Sequence, residues 1–158
     1  MRSIPIIDFS DYTSGIPQRQ QAFIQAVGDS LKDIGFFALE NHGIPLESIE
    51  QAYEQGDTFF TLSDEIKNSY LQPHIAHQRG YTAFGIEHAK NNPAPDLKEF
   101  WQSGRSHPTT GKVPTYVANV WPDKEAPHFK SVIDGLFTKM EALSKHLLDS
   151  CSLYLGKD

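Results

Sequence analysis

The last part of the chain sets the hardest constraint on what this sequence can fold into. From Pro127 to Leu155 the apolar residues Val132, Leu136, Met140, Leu143, Leu147, Cys151 and Tyr154 recur at helical spacing. A helix of about 28 residues, rising ~1.5 Å per residue, makes a rod of roughly 42 Å. A domain of 158 residues should have a radius of gyration near about 15 Å, so the rod outruns the body before it. Its apolar stripe must be buried against something, and the preceding sequence offers only about four short strands. Two expectations stay open on the pattern alone. Sequence following Gly156-Lys157-Asp158 covers the stripe, or the helix docks on the sheet as a terminal element.

The elements before it read from local chemistry. Ile4-Pro5-Ile6-Ile7-Asp8-Phe9 is a short edge strand, because Pro5 cannot donate to a ladder. Asp11 to Pro17 is turn-rich, and Pro17 stands where a helix takes its first residue. Ile24, Val27, Leu31 and Ile34 then mark an amphipathic helix that Gly35 ends. Gly35-Phe36-Phe37-Ala38-Leu39 reads as a buried strand closed by the turn Asn41-His42-Gly43. A second helix follows Pro45 with Ile49, Ala52, Tyr53, Phe59 and Phe60 on one stripe, and Ser63-Asp64-Glu65 starts another. Leu71 to Ala126 is a loop-rich middle with two strand-like runs, Tyr81 to Phe84 and Lys98 to Ser103, the kind of region that holds binding surfaces.

Composition narrows the function classes. The net charge is −6, from 20 acidic against 14 basic residues, the opposite of what a phosphate-tracking nucleic-acid binder carries. No apolar run reaches the ~20 residues of a membrane-spanning helix, and Pro5, Asp8 and Asp11 interrupt any signal-peptide core. The single Cys151 precludes an internal disulfide and fits a reducing, cytoplasmic compartment.

Catalytic signals are weak. A facial iron site needs His-x-Asp or His-x-Glu plus a distant His, and none of the seven histidines is followed two residues later by an acid. His74 and His77 have the closest metal-like spacing but stand in a Pro-containing segment; a metal hydrolase built on them is the weakest reading. Cys151 lies on the apolar stripe, as a packing thiol does. There is no Gly-x-Ser-x-Gly elbow and no phosphate-cradling glycine loop. What remains is recognition chemistry. Arg79-Gly80-Tyr81 sets a guanidinium beside a phenol, and an Arg fork holds a carboxylate bidentately. Along Lys98 to Ser103, Lys98, Phe100 and Gln102 share one face and Glu99, Trp101 and Ser103 the other, and either set suits a pocket wall.

Taken in order, Pro5-Ile6-Ile7-Asp8-Phe9, Gly35 to Ile44, Phe59-Phe60-Thr61-Leu62-Ser63-Asp64-Glu65-Ile66-Lys67, Arg79-Gly80-Tyr81, Asp96-Leu97-Lys98-Glu99 and Asn119-Val120-Trp121-Pro122 resemble the amino-terminal half of the isopenicillin N synthase-like iron(II)/2-oxoglutarate-dependent oxygenases. Ser63, where the family often has proline, is a minor departure. The resemblance implies an α+β fold for residues 1–158: helices packed on a few short strands, the amino-terminal part of a double-stranded β-helix (jelly-roll) oxygenase. The long helix would be the spine on which that jelly roll rests.

The resemblance also implies a reaction in the intact enzyme: 2-oxoglutarate and O2 consumed at iron(II), with hydroxylation, desaturation or ring closure of a small organic substrate. The family's metal ligands and its Arg-x-Ser cosubstrate grip lie in the later half, so no catalytic or metal residue carries over, and this chain alone is expected to bind no cofactor. The earlier half supplies substrate-side walls. Arg79 and Tyr81 are the leading candidates, followed by Phe84, Trp101 and Asn119, with His42 structural. The expected partners are the jelly-roll half, on the same or a separate chain, and a small-molecule substrate, with neither nucleic acid nor membrane. A second class of function is a non-catalytic binding module derived from such an enzyme, with the spine stripe as its surface for self-association or docking.

Overall fold

The computed structural model describes residues 3–90, 93–106 and 117–157, so parts of the loop-rich middle lie outside the described residues. The chain divides into two compact units, Met1–Pro45 with Thr138–Asp158, and Leu46–Phe137. The expected long helix is α5, Phe129–Tyr154. Among the described residues no helix is long and apolar enough to cross a membrane.

In the first unit, strand β1 (Ile6–Asp8) pairs in parallel with β2 (Ala38–Glu40), Ile7 opposite Leu39. The expected strand stops short of Phe9 because Asp8 caps a helix: its carboxylate accepts the Ser10 N–H at 2.8 Å and α1 runs over Phe9–Thr13. Helix α2 (Pro17–Asp33) begins on its proline as expected, and Gly35 beyond it takes φ +96°. Ile7, Phe9, Phe23 and Val27 form the buried core, with Leu143, Leu147 and Cys151 of α5 packed on it.

Two expectations fail in this unit. The run from Gly35 is no buried strand: β2 starts only at Ala38, and Phe36 is 54% exposed. Alternation explains it. Phe37 and Leu39 turn toward the core while their neighbours turn away, and a two-stranded sheet has no second layer to cover them. Met140 likewise leaves the stripe of α5 and is exposed.

The second unit holds α3 (Leu46–Phe60), α4 (Asp64–Asn68), a 3₁₀ turn at Pro73–Ile75, the antiparallel strands β3 (Gly80–Thr82) and β4 (Phe100–Gln102), and the start of α5. Ser63 accepts the Ile66 N–H and caps α4, as its position implied. The core is aromatic. Phe59 is fully buried, with the rings of Phe60, Tyr70, Tyr81, Trp101 and Phe129 centred 4.8 to 6.0 Å away, mostly edge-on. The stripe read for α3 holds at Phe59 but not at Tyr53, which is 76% exposed.

Glycine packing gives a paired test. A Cβ on Gly28 of α2 would overlap the ring of Tyr154, whereas one on Gly56 of α3 would meet nothing within 4 Å. Gly28→Ala is therefore expected to lower unfolding free energy by about 1–3 kcal/mol through overpacking. Gly56→Ala should raise it by roughly 0.5–1 kcal/mol by removing helix-interior glycine. Denaturant midpoints of the two variants check both signs.

Candidate functional site

The short β3–β4 ladder organises the second unit. Tyr81 stands opposite Trp101, so both rings turn to the aromatic core, and Glu99 at the foot of β4 meets the tip of Tyr81. The Tyr81 hydroxyl donates to Glu99 Oε2 at 2.5 Å. Lys67 of α4 donates to the same oxygen at 2.9 Å, to Asp64 at 3.2 Å and to the Phe60 carbonyl at 3.4 Å. Burial, then the Glu99 hydrogen bond, pushes the Tyr81 phenol up to about 12. The hydrogen bond to Glu99 raises Lys67, against the opposing effect of its burial. A matching pair sits nearby: the Tyr70 hydroxyl donates to Glu125, Tyr70 is held up to about 12 chiefly by burial, and Glu125 is held below the usual carboxylate range by that hydrogen bond.

Arg79 occupies a different setting. Its Nη1 donates to the Gln78 carbonyl at 2.6 Å, its Nε is buried without a partner, and it forms no ion pair among the described residues. The guanidinium lies against Gly104, where an added Cβ would sit 2.5 Å from Nη2 and 2.8 Å from Cζ. Asn119 holds that glycine by both backbone groups, accepting the Gly104 N–H at 2.8 Å and donating to its carbonyl at 2.7 Å. Asn119 Nδ2 also reaches Ser106 Oγ at 3.1 Å, and Ser106 donates to Asp134 of α5 at 2.7 Å.

The expected residues thus separate into groups. Arg79 and Asn119 meet through Gly104, and Tyr81 and Trp101 face each other in the core. Phe84 stands two residues past β3 and is 57% exposed. Three more buried polar atoms of this region have no hydrogen-bond partner: His77 Nδ1, Thr82 Oγ1 and Trp101 Nε1. In the first unit, His42, read as structural, accepts the Ile44 N–H on Nδ1 at 3.1 Å within its turn. Sequence reasoning missed Lys67, Glu125 and Gly104 as parts of these networks. For Glu99 a signal existed, since strand alternation places it on the Trp101 face.

The family model described as non-haem dioxygenase in morphine synthesis N-terminal matches residues 4–124. The chain belongs to this non-haem dioxygenase N-terminal family. The 2-oxoglutarate-dependent dioxygenase thnC of Trichoderma harzianum is 34% identical over 98% of this chain and 48% of its own length. The proline hydroxylase buaE of Petromyces alliaceus is 29% identical over 91% of this chain and 45% of its own. Among solved structures, a 2OG-Fe(II) oxygenase family protein from Caulobacter crescentus superposes with a TM-score of 0.83 at 30% identity, covering 100% of this chain and 50% of that one. A full-length Neurospora crassa protein in complex with alpha-KG and thymine gives 0.78 at 27% identity, covering 98% and 49%.

The non-haem dioxygenase N-terminal chain therefore spans about half the length of the curated relatives it matches, and its fold is that of the amino-terminal half of 2OG-Fe(II) oxygenases. The donor set of its described residues does not fit the iron(II) that the Caulobacter protein is named for. Iron(II) of this type takes two histidines and a carboxylate on adjoining positions. Among the described residues no group of three or more His, Cys, Asp or Glu side chains is arranged to hold a metal ion.

The Tyr81–Glu99 hydrogen bond has a pH signature. The phenol titrates near about 10 when unfolded and at about 12 when folded. Its stabilising contribution is then full below pH ~10 and lost as pH rises toward ~12. Tyr81→Phe should cost about 1.5–3 kcal/mol at neutral pH. The gap between variant and wild type should close through that alkaline window, read by urea unfolding at stepped pH.

Proposed function

We propose that this chain is the amino-terminal, substrate-side portion of an iron(II)/2-oxoglutarate-dependent oxygenase acting on a small organic substrate. Residues 1–158 form the non-haem dioxygenase amino-terminal domain, and the metal and cosubstrate are held by the jelly-roll half that relatives of twice this length include. Bound there, they supply O2-dependent oxidation of the substrate. This chain supplies recognition. Arg79 is the residue that grips an anionic group of the substrate, with Tyr81, Phe84, Trp101 and Asn119 building or bracing the wall around it. The net charge of −6 supports a small-molecule ligand over nucleic acid, and the reducing compartment implied by one cysteine supports the cytoplasm.

One observation carries the reading. Lys67, Lys98 and Lys124 of this unit are paired with carboxylates, whereas Arg79 has no acidic partner among the described residues and keeps a buried Nε without a partner. A guanidinium in that state is completed by a planar oxyanion such as a carboxylate, which it binds through two parallel hydrogen bonds. The names of relatives agree on substrate size: one is a proline hydroxylase and another is in complex with thymine.

A second reading, a non-catalytic binding module, is favoured by the first unit. An open apolar groove of about 310 Å³ lies along α2 and α5, lined by Val27, Leu31, Phe37, Leu147, Leu148 and Cys151. Leu148 there is 69% exposed. Intact mass of the gene product isolated from its own source separates the two. A mass well above 17.8 kDa is expected for the oxygenase, and a mass matching 158 residues favours the module reading, since catalysis would then require a separate partner chain. In the longer product, Arg79→Ala should weaken substrate binding by about 2–5 kcal/mol and leave 2-oxoglutarate affinity nearly unchanged. Calorimetric titration of both ligands checks this, and equal weakening of the two would show Arg79 to be structural.

A further inference from the structure

The seat of Arg79 is built from parts that have no other evident role. Gly104 needs no left-handed backbone, so conformational freedom does not explain its missing side chain. Space does: the guanidinium lies where a Cβ would be, 2.5 Å from Nη2 and 2.8 Å from Cζ. The Asn119 amide spends both its ends on the backbone of that same residue, at 2.8 and 2.7 Å. A side-chain amide paired this way imitates a neighbouring strand just where β4 has stopped, two residues earlier at Gln102. Ser106 takes the second Nδ2 hydrogen at 3.1 Å and is itself anchored on Asp134 of α5 at 2.7 Å. Every link is polar and directional, and the network ends under a cation with no acidic partner among the described residues.

We propose that Asn119 is a positioning residue for Arg79: by clamping both backbone groups of Gly104 it fixes the side-chain-free surface on which the guanidinium lies, and so aims its fork at a substrate carboxylate. This assigns Asn119 a role through another residue, with its own amide already occupied and not offered to the ligand. The proposal rests on the reading of Arg79 as the carboxylate contact. Fixing the fork beforehand lowers the ordering cost of binding, which for a long flexible side chain is substantial. Gly104 is the second element of the device, since any side chain there displaces the guanidinium even with the clamp intact.

The test uses nitrogen-15 NMR of the 158-residue chain, following the Arg79 Nε–H resonance, assigned by its loss in Arg79→Lys. In wild type that hydrogen should exchange slowly with water, and its shift should respond to sodium acetate but not to sodium chloride at equal ionic strength. Asn119→Ala should speed its exchange by about tenfold and weaken the acetate response by about as much, while the backbone amides of Tyr81 and Trp101 keep their shifts. Gly104→Ala should do the same from the other side of the clamp, and it decides the matter if Asn119→Ala fails to fold. Unchanged Arg79 exchange in the folded variants overturns the positioning role. Absence of any acetate response in wild type, with exchange still sensitive to both variants, overturns the carboxylate reading instead and removes the purpose assigned to the clamp.

Discussion

The carboxylate of Glu99 is the point on which the second unit depends. Three elements reach it. Lys67 brings α4, Tyr81 brings β3, and Glu99 itself belongs to the segment that enters β4. The strands joined there are three residues long each, too short to hold register by backbone hydrogen bonds alone. Lys67 is buried and pairs with Glu99 and with the exposed Asp64; removing the half-buried partner from a buried ammonium costs several kcal/mol, so Glu99 helps fix Lys67 in place. Burial first, and then the same anion, keep the Tyr81 hydroxyl protonated, and the hydrogen bond to Glu99 orients it while its ring packs edge-on against Phe59. Electrostatic pairing thus reinforces the register of the ladder on which the aromatic core packs.

Register in turn determines what Arg79 can do. Gly80 takes φ +78° with its Cα close to the Tyr70 carbonyl, which a Cβ would approach to 2.6 Å. Only glycine fits there, in conformation and in space. Arg79 is therefore the last residue before a constrained entry into β3, and Gly104 lies just past the end of β4. The ladder brings these two ends of the hairpin-like pair side by side. The clamp from Asn119 holds the far side, so the guanidinium is confined between a strand entry and a braced glycine.

Much of this was legible in the residues, and the boundary of legibility has a physical cause. Helix starts and stops were clear because their signals are local: Pro17 at a first turn, Ser63 as a cap, Gly35 past an end. Strand burial was not, because it depends on layers the strand does not encode. Phe36 and Tyr53 read as core residues from pattern alone, yet each faces away from the small body it belongs to. Arg79 stood out as a recognition residue from its dipeptide context. Its seat did not, since Gly104 and Asn119 are 15 residues apart and Lys67 and Glu99 are 32 apart. Nothing in a single sequence ties polar residues across such intervals. The one available clue was alternation along Lys98 to Ser103, which placed Glu99 and Trp101 on a common face but could not say which face was inward.

The division of labour suggested by the proposed function follows from the same chemistry. A metal centre of the iron(II) type needs neutral imidazoles and a carboxylate held rigidly within bonding distance. In the second unit the carboxylates of Glu99 and Glu125 are already committed to phenols, and Glu99 to an ammonium as well. Acids spent on holding the fold together are unavailable as ligands. A cation unmatched among described neighbours and holding a buried Nε without a partner has, by the same reasoning, binding capacity to spare, and Arg79 is such a cation. Under the proposed function, this region grips an anionic substrate while residues elsewhere oxidise it. Separating the two tasks lets the recognition wall vary without disturbing metal geometry, which is how one scaffold comes to serve many substrates.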